Sequence, residues 1–102
     1  MRGQFYVYLL TNPHHTVLYT GVTNDLLERV WRHRSGRGGK FTAKYSCSKL
    51  VFYEIFLDPY HAIAREKQIK AGSRQRKVAL IEHMNPEWLD LWEIASARCA
   101  SQ

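Results

Sequence analysis

Residues Gln4 to Gly21 read QFYVYLLTNPHHTVLYTG, and this stretch decides the fold. Gln4 to Leu10 and Val17 to Gly21 are rich in β-branched and aromatic residues, which suit a pleated, half-buried surface. Asn12-Pro13-His14-His15 between them is a turn-forming group, so the segment reads as a hairpin of two antiparallel strands. Two-residue alternation puts Tyr6 and Tyr8 on one side of the first strand.

The elements that follow can be placed from this hairpin. Thr23, Asn24 and Asp25 offer N-cap oxygens ahead of Leu26, Leu27, Val30 and Trp31, whose spacing predicts a helix through about His33. Ser35-Gly36-Arg37-Gly38-Gly39-Lys40 breaks that helix, and a basic, mobile loop is expected to continue through Tyr45 to Ser48. Leu50 to Phe56 reads as a third strand. Asp58-Pro59 is an N-cap with proline at the first helical position, and Gly72 sits where the helix should close, predicting a helix over 59–71. Ser73 caps a third helix to about Met84, Asn85-Pro86 ends it, and Trp88, Leu89, Leu91, Trp92 and Ala95 mark a final amphipathic segment. The expected class is α+β: a small three-stranded antiparallel sheet flanked by helices, in the order ββαβαα. Residues 1–86 form the domain, and 87–102 form a C-terminal helical tail packing back on it.

The 102 residues hold room for one domain, and 45% hydrophobic with 13% aromatic content argues against disorder. The apolar run from Phe5 to Leu10 is far too short to span a membrane. Cys47 and Cys99 have no Cys-x-x-Cys spacing, which disfavours a zinc site or a disulfide framework and suits a cytoplasmic setting. A net charge of +6 suits a polyanionic partner, although a merely basic surface explains the charge equally well.

Four features carry candidate chemistry. At about 100° per residue, Glu66 falls on the arc of Ala62, Ile63 and Ile69, so a carboxylate points inward. It needs a bound cation or a buried arginine to offset the cost of burial. Arg29 and His33 are four apart on one helix face, with Arg32 beside them, a cationic group that is often only a solvated surface. Tyr6, Tyr8 and Tyr19 stand on the hairpin, where tyrosines usually pack; a phenol becomes a plausible general base or water-orienting group only if nearby cations lower its pKa or it hydrogen-bonds the nucleophile, and Arg29 is such a candidate cation. Gly39-Lys40 lacks the glycine spacing of a phosphate-binding P-loop, and His14, His15, His61 and His83 show no ligand spacing.

Taken in order, Tyr6-Val7-Tyr8, Tyr19-Thr20-Gly21, Arg29, His33, Glu66 and Asn85 resemble the GIY-YIG nuclease family. The motif tyrosines stand 19 − 8 = 11 residues apart. The resemblance covers about residues 4–86 and is closest to small stand-alone bacterial members; Tyr6, Val7 and Thr20 depart from the name-giving motif.

The resemblance implies a metal-dependent endonuclease acting on DNA, linked to DNA repair or processing. Tyr8 would serve as general base or base-assisting phenol, and Tyr19 would position nucleophile or phosphate. Arg29 would stabilise phosphoryl charge, His33 would assist proton transfer or orient a neighbour, and Glu66 would anchor one Mg²⁺ or Mn²⁺. Tyr6, Gly21 and Asn85 would support the site. Arg32, Arg34, Arg37, Lys40 and Lys44 would hold the nucleic-acid backbone, and a protein partner would supply any strong sequence specificity. A non-catalytic nucleic-acid-binding module of the same fold is the alternative, and a protein-interaction surface on the Trp88 to Ala95 tail is a weaker third.

Overall fold

A computed structural model describes residues 3–95; Cys99 and residues 96–102 of the expected tail lie outside the described residues. β1 (Phe5–Thr11), β2 (Leu18–Thr23) and β3 (Lys49–Phe56) form one antiparallel sheet in the order β2-β1-β3, the expected three-stranded α+β arrangement. β1 is central, and its residues from Val7 to Thr11 are all buried. The Asn12 side chain organises the hairpin turn: Oδ1 accepts from the backbone N–H of Thr16 at 2.8 Å and of Val17 at 3.0 Å.

Alternation along β1 divides the interior into two layers. Tyr8 and Leu10 pack with Leu26, Val30, Cys47, Leu50, Tyr53, Leu91 and Ala95 on one face of the sheet. Val7 and Leu9 pack with Phe52, Ala62, Ile69 and Ile81 on the other. A bulge between Leu9 and Leu10 inserts Val51, so that Leu9 pairs with Phe52 but Leu10 with Leu50, which keeps both β3 residues on the faces of their partners.

The helices start where the sequence supplies caps. α1 (Leu26–Arg34) begins at Asp25, whose carboxylate accepts from Glu28 N–H at 3.2 Å. The segment expected to be loop through Ser48 instead contains a short helix, α2 (Lys40–Tyr45). Its one buried side chain is Thr42, and the N–H of Cys47 closes its end on the Thr42 carbonyl at 2.9 Å. The element order is therefore ββααβαα. α3 (Pro59–Ala71) starts at Asp58 and α4 (Arg74–Met84) at Ser73. On α3, Ala62 and Ile69 are buried, but Ile63, expected on the same arc, is 42% exposed. Beyond α4, the N–H of Leu91 bonds the Leu50 carbonyl at 2.7 Å, and Leu91 and Ala95 are buried against the Tyr8 layer.

Candidate active site

The site is built around Tyr8, whose position follows from strand pairing. Tyr8 lies opposite Gly21 on β2 and Tyr53 on β3, with its ring fully buried. A Cβ on Gly21 would stand 2.4 Å from both Cζ and the hydroxyl oxygen of Tyr8, so glycine is what lets the ring lie across β2. Gly21→Ala is expected to displace the Tyr8 ring and destabilise the fold by about 1–3 kcal/mol, the usual cost of overpacking. That loss corresponds to roughly 4–8 °C of Tm per kcal/mol for a domain of this size, read by thermal denaturation; an unchanged Tm would show that the ring moves freely.

The Tyr8 hydroxyl lies 3.2 Å from Nε2 of His33, which α1 carries into the interior on its last turn. Nδ1 of His33 lies 2.8 Å from the Thr42 hydroxyl, and that hydroxyl donates to the Gly39 carbonyl at 3.3 Å. A threonine hydroxyl has one proton, so Thr42 must accept from Nδ1–H. This fixes the tautomer: Nε2 carries the lone pair, and Tyr8 donates to it. Gly38 shields the same imidazole, since a Cβ there would fall 2.0 Å from Nδ1. Thr42 and Gly38 were not legible as site residues, because their link to His33 exists only once α2 forms.

Electrostatics set the resting protonation states. Burial, and then the neighbouring Tyr19, hold the Tyr8 phenol well above its ordinary pKa. Arg29 lowers it as a charge and hydrogen-bond partner but is outweighed, and Glu66 adds a smaller upward push. Burial and Arg29 push the His33 imidazole below its ordinary value. At neutral pH the pair is therefore a neutral phenol donating to a neutral imidazole. Tyr19 closes the cluster, with its ring centroid 6.3 Å from that of Tyr8 and 5.4 Å from that of His33.

Glu66 reaches this cluster from α3. Its side chain is only 13% exposed, and its one ion pair among the described residues is Lys70 Nζ at 3.6 Å, beyond hydrogen-bond distance. A nearly buried carboxylate so loosely paired keeps oxygen lone pairs available to a further partner. Among the described residues, no three His, Cys, Asp or Glu side chains are grouped to hold a metal. A single carboxylate suits a hard ion such as Mg²⁺ that keeps several waters and takes further oxygens from a phosphate.

The supporting and backbone-binding candidates separate. Tyr6 is half-buried beside the Tyr8 layer, its hydroxyl donating to Gln4 at 2.9 Å. Asn85 caps α4, donating to the carbonyls of Val51 at 3.1 Å and Leu89 at 2.8 Å; it fixes β3 to the following turn and lies outside the Tyr8 cluster. Arg32 pairs with Glu28. Arg34 bonds Asp90 at 2.6 Å and lies over Trp92, tying the tail to α1. Among the described residues, Arg37, Lys40 and Lys44, like Arg29, make no ion pair, while Arg37 lies over the Trp31 ring and Lys44 over the Tyr45 ring.

Comparison with known proteins shows the family and the fold. The GIY-YIG catalytic domain matches residues 4–79. A UPF0213 protein of Staphylococcus haemolyticus is 38% identical over 80 residues, 78% of this chain and 96% of its own. One from Clostridium perfringens is 41% identical over 76 residues, 74% of this chain and 81% of its own. The solution structure of the UPF0213 protein BH0048 from Bacillus halodurans is similar, with a TM-score of 0.55 and 30% identity over 85% of this chain and 92% of that one. With its three-stranded sheet, its motif tyrosines and a match over most of its length, the chain belongs to the GIY-YIG family.

Proposed function

We propose that this chain is an endonuclease hydrolysing phosphodiester bonds in DNA, with Glu66 holding one Mg²⁺ or Mn²⁺. The observation that carries this reading is the gathering of Tyr8, Tyr19, Arg29, His33 and Glu66 from four elements around one phenol oxygen. A purely structural tyrosine needs no such company. The family match supports nuclease chemistry, and the net charge of +6 supports a nucleic-acid partner. Structure-selective cutting in DNA repair or processing, in the cytoplasm and with a protein partner supplying any strong sequence specificity, is the setting we infer. No helix among the described residues is long and apolar enough to cross a membrane.

Water attacks the phosphorus while the Tyr8 oxygen accepts its proton and the phenol proton passes to Nε2 of His33. The phosphorus–oxygen bond to the leaving sugar oxygen breaks, that oxygen takes a proton from solvent, and His33 returns its own proton to solvent before the next turnover. This relay avoids forming a free phenolate in a buried site that disfavours one. The imidazolium so formed keeps Nδ1–H on Thr42, which holds its ring in line. Arg29, always protonated, faces the charge that develops on the phosphoryl oxygens. Glu66 would hold a divalent ion, which when bound would supply Lewis acidity to the phosphate.

The relay requires neutral His33, so cleavage should be sustained at high pH and lost as pH falls through the His33 pKa. Burial and Arg29 lower that pKa, so the acid limb of a single-turnover pH profile is expected below the ordinary imidazole value of about 6.5. A limb above that value would contradict the assignment.

The reading is tested by incubating labelled duplex, branched and single-stranded DNA, and RNA of the same sequence, with the purified chain in Mg²⁺, Mn²⁺ and chelator. Metal-dependent cutting of DNA is expected. DNA that is shifted but uncut under every condition would support the non-catalytic binding module instead.

A further inference from the structure

The helix α2 is built the wrong way round for a packing element. Its inward residue is the small, polar Thr42, while Phe41 is 46% exposed and Tyr45 39% exposed. Large aromatic rings on a six-residue surface helix forgo the burial that usually places them, so the arrangement points to a partner.

The rings are not scattered. From Tyr19, which touches the Tyr8–His33 pair, the chain of contacts runs to Phe41 at 5.9 Å between centroids and on to Tyr45 at 4.9 Å. Cations accompany it: Lys40 directly precedes Phe41 and Lys44 directly precedes Tyr45 in sequence, and Lys44 Nζ lies 5.3 Å from the Tyr45 ring. An aromatic row with ammonium groups alongside is what binds strands whose bases are not paired. Bases stack on the rings whatever their sequence, and the lysines take the phosphates. A duplex hides its base faces and would meet only the charges.

We propose that α2 is a base-stacking platform and that the preferred substrate presents unpaired nucleotides beside the scissile phosphate, with Phe41 and Tyr45 taking successive bases. This deepens the nuclease reading and rests on it for the position of the cut, but it is tested by binding alone.

The test measures affinity by fluorescence anisotropy in chelator, so that nothing is cut, using the full chain. The probes are a labelled single-stranded oligodeoxynucleotide, its duplex, the same strand made abasic, and single-stranded RNA of equal sequence. The unpaired DNA or RNA strand should bind about tenfold or more tighter than the duplex, and the abasic strand should lose that advantage. Phe41→Ala should weaken single-strand binding by about five- to a hundredfold, the range of one base stacked on an aromatic ring. Duplex binding should not change. Phe41→Leu keeps the apolar bulk and the fold but lacks a ring, and it should show a similar loss; Tyr45→Phe should bind like the parent.

Equal affinity for single strand and duplex, an abasic strand bound as tightly as the normal one, or full affinity in Phe41→Leu would each overturn the platform. None of these results touches the nuclease reading, which stands or falls on cleavage.

Discussion

Tyr8→Phe is expected to lower single-turnover DNA cleavage by about 10²–10⁴-fold, the usual contribution of a positioned proton-transfer group. The substitution removes one oxygen and leaves the buried ring, its tilted contact with Tyr19 and its fit over Gly21 in place. It also leaves His33 Nε2 without its donor, which should cost about 1–3 kcal/mol for an unpaired buried acceptor. The two effects separate cleanly, because a fold loss of that size shifts Tm without unfolding the protein at assay temperature. Nuclease assays beside thermal denaturation check both. Retained cleavage in a folded variant would remove Tyr8 from the chemistry.

Arg29→Ala is expected to cost about 10²–10³ in rate, the scale of losing one preorganised donor at a developing oxyanion. Its effect should extend to pH. With the guanidinium gone, the imidazole of His33 loses one of the two causes that hold its pKa down, so the acid limb of the profile should move upward. Arg29→Lys restores a charge but not the planar fork, and it should recover activity only in part. Full activity in Arg29→Lys would mean that charge alone suffices there. Full activity in Arg29→Ala would remove the residue from the mechanism.

The sequence made the sheet legible because local composition and turn chemistry agreed at each step. Asp25, Asp58 and Ser73 were readable as helix starts for the same reason: a cap acts within three residues of itself. What escaped depended on contacts between distant segments. α2 has no apolar periodicity, and its glycine-rich approach reads as loop; it is held by Thr42 turning inward onto a histidine nine residues earlier. The Val51 bulge exists only relative to β1. Ile63 lies outside the core because the buried stripe of α3 is narrow and is shared with Glu66.

The candidate site was legible to a different degree. Tyr8, Tyr19 and His33 meet within ring contact. Arg34 carries a basic side chain that sequence alone cannot tell from a phosphate ligand, since its partner Asp90 lies 56 residues away. The direction of the Tyr8 shift was also beyond reach. A nearby arginine suggests a lowered phenol, yet complete burial under β2 prevails, and only the packing shows it. The raised Tyr8 and lowered His33 pKa values are the reason we propose a two-residue relay in place of a simple base.

The most direct test of the whole account is nicking of supercoiled plasmid by the purified chain, with Mg²⁺ and with chelator, beside Glu66→Ala. The account predicts open circles only when the metal is present, and none from the variant. Undiminished nicking by Glu66→Ala, or a parent protein that binds plasmid without ever cutting it, would contradict it.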